Sequence, residues 1–265
     1  MRNSISDNIY YSTVKIEGEI TPGELKSGTA FFLHVNIKNN NYIFLVTNKH
    51  VVENTTTASI VLHKADNIDM QERTGEYKYI FKKRLTWQNN WYFHPNPDVD
   101  LAIFNFSETL NQLNSRKIYP YFKTISLDNI PSNEVIKNIL ALEQVTFVGY
   151  PAGLIDITNN LPIARKGYLA TPLHENFCGK SEFLIDASVF KGSSGSPVFI
   201  YNENTAFRLA DGSSYLSGFN RFWFIGVIYA TRLNIDGDYL DLGVVVKSEC
   251  VKELVNLYIE KMETN

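Results

Sequence analysis

The sequence predicts an all-β protein of two packed six-stranded antiparallel β-barrels followed by a C-terminal α-helix. Short runs rich in Val, Ile, Phe and Tyr fill most of the 265 residues, and clusters of Asn, Gly, Asp and Pro separate them. Only the last segment places apolar residues at helical spacing along its whole length. With 44% hydrophobic and 20% charged residues, the chain can bury one or two substantial cores.

The predicted strands form two groups of about six, which is typical of two antiparallel barrels. The first group is predicted at 11–16, 29–35, 42–47, 58–62, 77–84 and 99–106, and the second at 144–150, 163–170, 182–187, 198–201, 222–230 and 239–246. We therefore expect a first barrel at 1–127, a crossover linker at 128–143 and a second barrel at 144–247. Residues 131–134 begin a short helix in the linker, and the polar stretch 202–219 forms an extended hairpin loop.

The C-terminal segment 248–265 is the clearest helix prediction. One face carries the apolar residues Val251, Leu254, Val255, Tyr258, Ile259 and Met262. Ser248 is a suitable N-cap, because its hydroxyl can accept a hydrogen bond from a free backbone N–H of the first turn. We expect the apolar face to pack against the second barrel rather than to bind a partner.

Three separate segments supply residue types for nucleophilic catalysis. Lys-Gly-Ser-Ser-Gly-Ser-Pro at 191–197 contains Ser194, Thr-Asn-Lys-His-Val-Val at 47–52 contains His50, and Asp-Val-Asp-Leu-Ala-Ile at 98–103 contains Asp100. A serine hydroxyl is a poor nucleophile until an imidazole takes its proton and a carboxylate orients that imidazole. Each segment alone also fits an ordinary turn or strand, but their conjunction favours catalysis.

These segments resemble the bacterial trypsin-like serine proteases of the chymotrypsin fold, and especially the protease domain of the high-temperature-requirement proteases. Further similar segments are 27–33, 42–52, 145–151, 184–188, 225–230 and 242–246. The resemblance implies a His50–Asp100–Ser194 triad and an oxyanion hole formed by the backbone N–H groups of Gly192 and Ser194. Asp98 is the rival carboxylate, but the family pattern of an acid followed by Leu-Ala-Ile favours Asp100. The high-temperature-requirement proteases usually append peptide-binding domains after this helix, and we expect none here.

The resemblance also implies a substrate pocket with Ser188 at its floor and walls formed by Tyr229, Ala230, Thr231 and Gly243. Because no acid occupies the floor, we expect cleavage after a small-to-medium uncharged residue, although Asp241 lies near the wall and could reverse this preference. Ser193 stands where digestive members of the family carry an aspartate that pairs with a new amino terminus. Serine cannot form that ion pair, so the loop is either ordered as synthesised or ordered by a partner.

Composition narrows the function further. A net charge of −3 argues against nucleic acid as a partner, so we interpret the basic and aromatic segment 78–87 as a half-exposed strand. No apolar run is long enough to span a membrane, and the start lacks a signal peptide, which predicts a cytoplasmic protein. Cys178 and Cys250 are expected to be free thiols. We expect no metal and no cofactor.

The sequence thus predicts a serine endopeptidase that acts on polypeptides through an acyl-enzyme. An unregulated protease in the cytoplasm would be hazardous, which favours narrow substrate choice or control by a partner protein. Two alternatives remain open at this point. One is a catalytically silent binding module on the same fold, and the other is a hydrolase of non-peptide esters.

Overall fold

The N-terminal half of the protein forms a nine-stranded sheet. The computed structural model describes residues 4–55, 57–70, 72–81, 87, 89–202, 206–208, 213–216, 221–233, 237 and 239–264. The strands of this half are β1 Thr13–Thr21, β2 Glu24–Ile37, β3 Asn40–Thr47, β4 Thr57–Ala65, β5 Arg73–Phe81, β6 Trp91–Phe93, β7 Ala102–Asn105, β8 Pro120–Tyr121 and β9 Ile125–Ser126. They are ordered β5-β4-β1-β2-β3-β7-β6, with β8 paired to β4 and β9 paired to β2.

The second half contains the closed six-stranded barrel that the sequence predicts. Its strands are β10 Gln144–Gly149, β11 Ile163–Leu169, β12 Glu182–Asp186, β13 Pro197–Asn202, β16 Arg221–Leu233 and β17 Tyr239–Lys247. The barrel closes in the order β10-β11-β12-β17-β16-β13, and its interior is filled by side chains such as Val145, Phe183 and Val198. A small separate pair, β14 Ala206–Arg208 and β15 Ser214–Leu216, lies within the predicted hairpin loop.

Strand β2 lies at the junction between the two halves. Ala30 and Phe32 belong to the core of the first sheet, whereas Phe31 and Leu33 belong to a cluster that also contains barrel residues. Successive strand residues point to opposite faces, so a strand that is buried on both faces loses the usual alternation of apolar and polar residues. This explains the continuous apolar run in β2, and it places this strand beside the barrel.

The helices among the described residues are mostly short. They are α1 Ile5–Tyr10, α2 Lys49–Val52, α3 Ser107–Ser115, α4 Asn133–Lys137 and α5 Ser248–Thr264, with 3-10 turns at Leu127–Asn129, Pro151–Gly153 and Phe177–Gly179. Helix α4 lies where the linker helix was expected, and Ser132 Oγ caps it by accepting the Val135 N–H at 3.3 Å. The sequence did not predict α1, α2 or α3, because helices this short carry too few turns for a clear apolar stripe. His50 therefore lies in a short helix after β3 and not at the end of a strand.

Helix α5 contacts both halves and not only the barrel. Ser248 is its first helical residue rather than a residue outside it. Val251, Leu254 and Val255 are fully buried in the cluster that joins the sheet and the barrel. Met262, the last residue of the predicted apolar face, is 59% exposed, so the buried part of that face is shorter than expected. The helix therefore helps to hold the two halves together.

Other predictions can be compared with the described residues only in part. The basic and aromatic segment begins in β5, and its residues 82–86 lie outside the described residues. Cys178 is exposed, Cys250 is buried, and neither forms a disulfide. Within the described ranges, no helix is both long and apolar enough to cross a membrane.

Candidate active site

His50 and Asp100 come together because two neighbouring strands end side by side. β3 pairs with β7, with Thr47 opposite Ala102, so α2 after β3 lies next to the turn before β7. His50 Nδ1 is 2.5 Å from Asp100 Oδ2, and Asp100 Oδ1 accepts the His50 backbone N–H at 3.1 Å. The Asn48 side-chain amide donates to the Asp100 carbonyl at 2.7 Å. Both carboxylate oxygens of Asp100 are thus directed at one histidine.

The rival carboxylate Asp98 lies on the surface. Its side chain is 65% exposed and pairs with Lys180 at 3.0 Å. Asp98 therefore has a different partner from His50, and the geometry favours Asp100 as the carboxylate that orients the imidazole.

Ser194 lies in a loop that rests against β2. The Thr29 N–H donates to the Ser194 carbonyl at 2.9 Å. The Ser194 hydroxyl donates to the Tyr229 carbonyl at 3.2 Å, and within the described residues no hydrogen bond joins it to His50. Helix α2 packs on the same strand, because Gly28 has no side chain and a Cβ there would lie 2.5 Å from Val51. The strand therefore brings the histidine helix and the serine loop close to one another, with the serine hydroxyl still bonded elsewhere.

The backbone of the nucleophile loop, which we define as residues 190–196, is held by its carbonyl groups. Each carbonyl from Lys191 to Ser194 accepts one hydrogen bond, and the donors are, in order, Ala152 N, Thr29 Oγ1, Ser196 N and Thr29 N. Three N–H groups of the loop are also engaged, those of Ser193, Gly195 and Ser196, which donate to Phe190, Ile228 and Ser193 respectively. The loop is therefore fixed at nearly every peptide unit.

The N–H groups of Gly192 and Ser194, the pair that the resemblance implies for the oxyanion hole, have no backbone acceptor among the described residues. Gly192 has φ +90°, a conformation that favours glycine, and a Cβ there would lie 2.5 Å from the Tyr150 carbonyl oxygen. Two N–H donors directed at one developing oxyanion would each stabilise it by about 3–4 kcal/mol in a transition state.

Two lysines lie beside the histidine helix. Lys26 Nζ donates to the His50 carbonyl, and Lys49 Nζ donates to the Asn96 carbonyl at 3.0 Å. Burial lowers the pKa of both ammonium groups, while the carboxylates of Glu53 and Asp100 oppose that change. The cations therefore compensate part of the acidic charge around His50 without bonding to its ring.

The residues expected to form the substrate pocket are only partly brought together. Ala230 and Thr231 face Val244 and Gly243 across β16 and β17, and Ser188 is half-buried nearby on the loop that leaves β12. A Cβ on Gly243 would lie 2.6 Å from the Val189 side chain, which is 97% buried and was not predicted to take part. Val189 therefore fills space beside the predicted wall.

Tyr229 differs from the other predicted wall residues. Its hydroxyl donates to the buried carboxylate of Glu182 at 2.8 Å. Burial, with a further contribution from this hydrogen bond, raises the pKa of Tyr229 above its usual value, so the phenol remains a donor. The main-chain carbonyl of Tyr229, rather than its ring, meets Ser194.

Arg165 is a second residue that the sequence did not reveal. Its guanidinium donates to the Ser188 carbonyl and lies over the rings of Phe147 and Phe190, at 5.4 and 5.3 Å from their centroids. Burial lowers the pKa of Arg165, and Asp241 opposes this change. The sequence feature that could have drawn attention to Arg165 is a charged residue inside a predicted strand of the second barrel.

The arrangement suits acyl transfer by a serine. In the part of the chain that the structure describes, no three His, Cys, Asp or Glu side chains are grouped so as to hold a metal ion. The chemistry that these groups offer is proton transfer through an oriented imidazole, together with two N–H donors beside a hydroxyl.

Comparison with known proteins agrees with this fold. Residues 28–205 match the family model described as the trypsin-like peptidase domain. The scabies mite inactivated protease paralogue S-I1 is similar with a TM-score of 0.53 and 15% identity, over 96% of this chain and 98% of that one. The serine endoprotease from Yersinia pestis gives a TM-score of 0.51 and 13% identity, over 98% and 68%. These two structural likenesses show the fold alone. The chain has no significant match among curated proteins.

Proposed function

The chain belongs to the trypsin-like peptidase domain family, and from this premise we propose that it is a serine endopeptidase that cleaves polypeptides through an acyl-enzyme on Ser194. The observation that carries the proposal is the double contact of Asp100 with His50, at 2.5 Å to the ring and 3.1 Å to the backbone. This contact supports an imidazole whose Nδ1 carries the proton and whose Nε2 is free to accept one.

In the proposed reaction, the Ser194 hydroxyl leaves the Tyr229 carbonyl and transfers its proton to His50 Nε2 as Oγ attacks the substrate carbonyl carbon. The carbonyl oxygen becomes an oxyanion between the Gly192 and Ser194 N–H groups. The C–N bond then breaks, and His50 returns the proton to the leaving amine. Water attacks the resulting ester by the same proton transfers, which regenerates the free serine.

We propose a preference for a small-to-medium uncharged residue before the scissile bond. The buried Val189 side chain beside Gly243 supports a shallow pocket. Asp241 is exposed and lies close enough to Arg165 to oppose the lowering of its pKa. Because Arg165 compensates the charge of Asp241, this carboxylate gives no support to a strong preference for Lys or Arg before the scissile bond.

We further propose that the nucleophile loop is ordered without cleavage of the chain. Ser193 is 98% buried, and its hydroxyl has no hydrogen-bond partner among the described residues. The loop carbonyls are nevertheless satisfied by other groups of the chain. Control by a partner protein would then act on access to the cleft rather than on building the loop.

A fluorophosphonate probe, which phosphonylates activated serines, tests the proposed activity. We expect wild-type protein to be labelled and Ser194→Ala protein to remain unlabelled, with parallel loss of cleavage of a peptide library. An unlabelled wild type would favour the catalytically silent module. Labelling together with hydrolysis of p-nitrophenyl esters, but no cleavage of any peptide, would favour the ester hydrolase.

A further inference from the structure

Thr29 in β2 has contacts to the nucleophile loop that exceed those of an ordinary strand residue. We propose that its buried hydroxyl is a positioning group that holds the loop in the conformation that binds an oxyanion, a role that rests on the proposed function. Thr29 is fully buried and has no contact with the reacting atoms, so it would act through the loop backbone.

Every hydrogen-bonding group of Thr29 is used at the junction between the sheet and the barrel. The hydroxyl donates to the Gly192 carbonyl at 2.9 Å and accepts the Tyr150 N–H at 3.2 Å and the Ser196 hydroxyl at 3.3 Å. The backbone N–H donates to the Ser194 carbonyl at 2.9 Å, and the Thr47 hydroxyl donates to the Thr29 carbonyl at 2.6 Å. One donor and two acceptor positions exhaust the capacity of a hydroxyl.

These contacts hold the peptide units next to those that carry the two N–H groups. A planar peptide unit joins the Gly192 N–H to the Lys191 carbonyl, and another joins the Ser194 N–H to the Ser193 carbonyl. The Gly192 carbonyl, which the Thr29 hydroxyl holds, belongs to the unit between these two, and the Ser194 carbonyl, which the Thr29 N–H holds, belongs to the unit that follows them. Thr29 therefore fixes the segment that links the two donors and the segment that follows the second.

The Ser193 side chain at the centre of the loop does not anchor it, because its buried hydroxyl has no hydrogen-bond partner within the described residues. The Ser194 hydroxyl bonds to the Tyr229 carbonyl, but it must leave that bond to act as the proposed nucleophile. The surroundings instead leave room for Thr29. A Cβ on Gly149 would lie 2.7 Å from Thr29 Oγ1, and a Cβ on Gly195 would lie 1.8 Å from the Thr29 carbonyl oxygen. Two positions without a side chain thus allow this close approach.

The test replaces the hydroxyl by a methyl group of similar size. Thr29→Val is compared with the wild type for kcat and KM on p-nitrophenyl acetate and for the rate of fluorophosphonate labelling. We expect kcat and the labelling rate to fall by about 10²-fold with KM within about threefold, because misdirected donors are lost from the transition state and not from substrate binding. Thr29→Ser keeps the hydroxyl and should recover activity to within about fivefold of the wild type.

Thr13→Val is the matched control. Thr13 lies on the neighbouring strand β1, is 95% buried, and its hydroxyl has no partner among the described residues. The same substitution there should leave kcat within about threefold of the wild type, because among the described residues the Thr13 hydroxyl makes no hydrogen bond to the nucleophile loop. The proposal is overturned if Thr29→Val behaves like Thr13→Val, or if it changes KM alone.

Folding is followed by thermal denaturation in every variant. Thr29→Ala, which avoids placing a methyl group against polar atoms, replaces Thr29→Val if the latter does not fold. If both fail to fold while Thr29→Ser folds, the hydroxyl serves stability and the proposal is wrong. A wild type that neither reacts with the probe nor hydrolyses the ester would refute the proposed function itself, which separates the two failures.

Discussion

Asp100→Asn is the sharpest perturbation of the site, because the substitution keeps the shape of the side chain while changing one acceptor into a donor. The carboxylate presents Oδ2 to His50 Nδ1 at 2.5 Å and Oδ1 to the His50 backbone N–H at 3.1 Å. An amide can accept at only one of these two places. If its oxygen keeps the backbone N–H, its NH₂ donates to Nδ1 and the ring proton moves to Nε2.

That tautomer cannot take a proton from Ser194. The opposite orientation of the amide sets two donors against each other, which costs roughly 1–3 kcal/mol, or a factor of about 5–150. Loss of the negative charge removes a further contribution of up to about 4 kcal/mol to the imidazolium, from Coulomb attraction at about 4 Å and an effective dielectric constant near 20. The two effects together predict a decrease in kcat of about 10⁴-fold at pH 7.

The assay measures kcat and kcat/KM on a p-nitrophenyl ester, with the fluorophosphonate labelling rate as a second measure. Asp98→Asn is the control. Asp98 is 65% exposed and pairs with Lys180 on the surface, so its variant should stay within about threefold of the wild type. Thermal denaturation establishes that both variants fold. If Asp98→Asn loses as much activity as Asp100→Asn, or if Asp100→Asn stays within about tenfold of the wild type, the assignment of the carboxylate is wrong.

Three further predictions concern groups around the site and in the core. Gly195→Ala should reduce fluorophosphonate labelling by more than about tenfold and lower the melting temperature. The substitution forces alanine to φ +90° and places its Cβ 1.8 Å from the Thr29 carbonyl oxygen. Normal labelling would contradict this prediction. Burial, together with the positive charge of Arg73, lowers the pKa of His63 to about 4 in the folded protein. Between about pH 6.5 and pH 4, His63 therefore binds a proton in the unfolded chain but not in the folded one. The free energy of unfolding in urea should therefore fall by roughly 2–3 kcal/mol between pH 7 and pH 4.5 from this residue, and an equal fall in His63→Gln would show the cause to lie elsewhere. Burial raises the pKa of Cys250 to about 11, whereas Cys178 is exposed. A thiol reagent at neutral pH should therefore modify Cys178 in the folded protein and reach Cys250 only after unfolding. Equal rates of modification of both thiols in the folded protein would refute this prediction.

Local patterns in the sequence mark the residues that we propose for the site. His50 follows a β-rich run, Asp100 begins another, and a glycine on each side of the Ser193–Ser194 pair marks a tight loop. Strand pairing between β3 and β7 then places His50 beside Asp100. The closed barrel and the C-terminal helix were predicted for the same reason, since period-two and helical spacing extend over many residues in both.

Contacts between distant residues that no sequence motif marks could not be predicted. The hydroxyl of Thr29 reaches Gly192, 163 residues later, and the hydroxyl of Tyr229 reaches Glu182, 47 residues earlier. Neither pair has a local signature, because a Thr in a strand and a Tyr in a strand are both ordinary residues. The additional pairings of β8 and β9 involve two residues each, too few for any alternation to show.

The Ser194 hydroxyl donates to the Tyr229 carbonyl, so under the proposed mechanism its side chain must rotate away from this bond before the proton transfer. A side-chain rotation of this kind takes picoseconds to nanoseconds and gives up a bond worth about 1 kcal/mol, against an activation barrier of about 16 kcal/mol for turnover near 10 s⁻¹. Such a reorientation is too fast and too small to limit the reaction. A hydroxyl that is not yet bonded to imidazole is, however, a weaker nucleophile, so the resting cleft should react more slowly with small electrophiles than with a bound polypeptide.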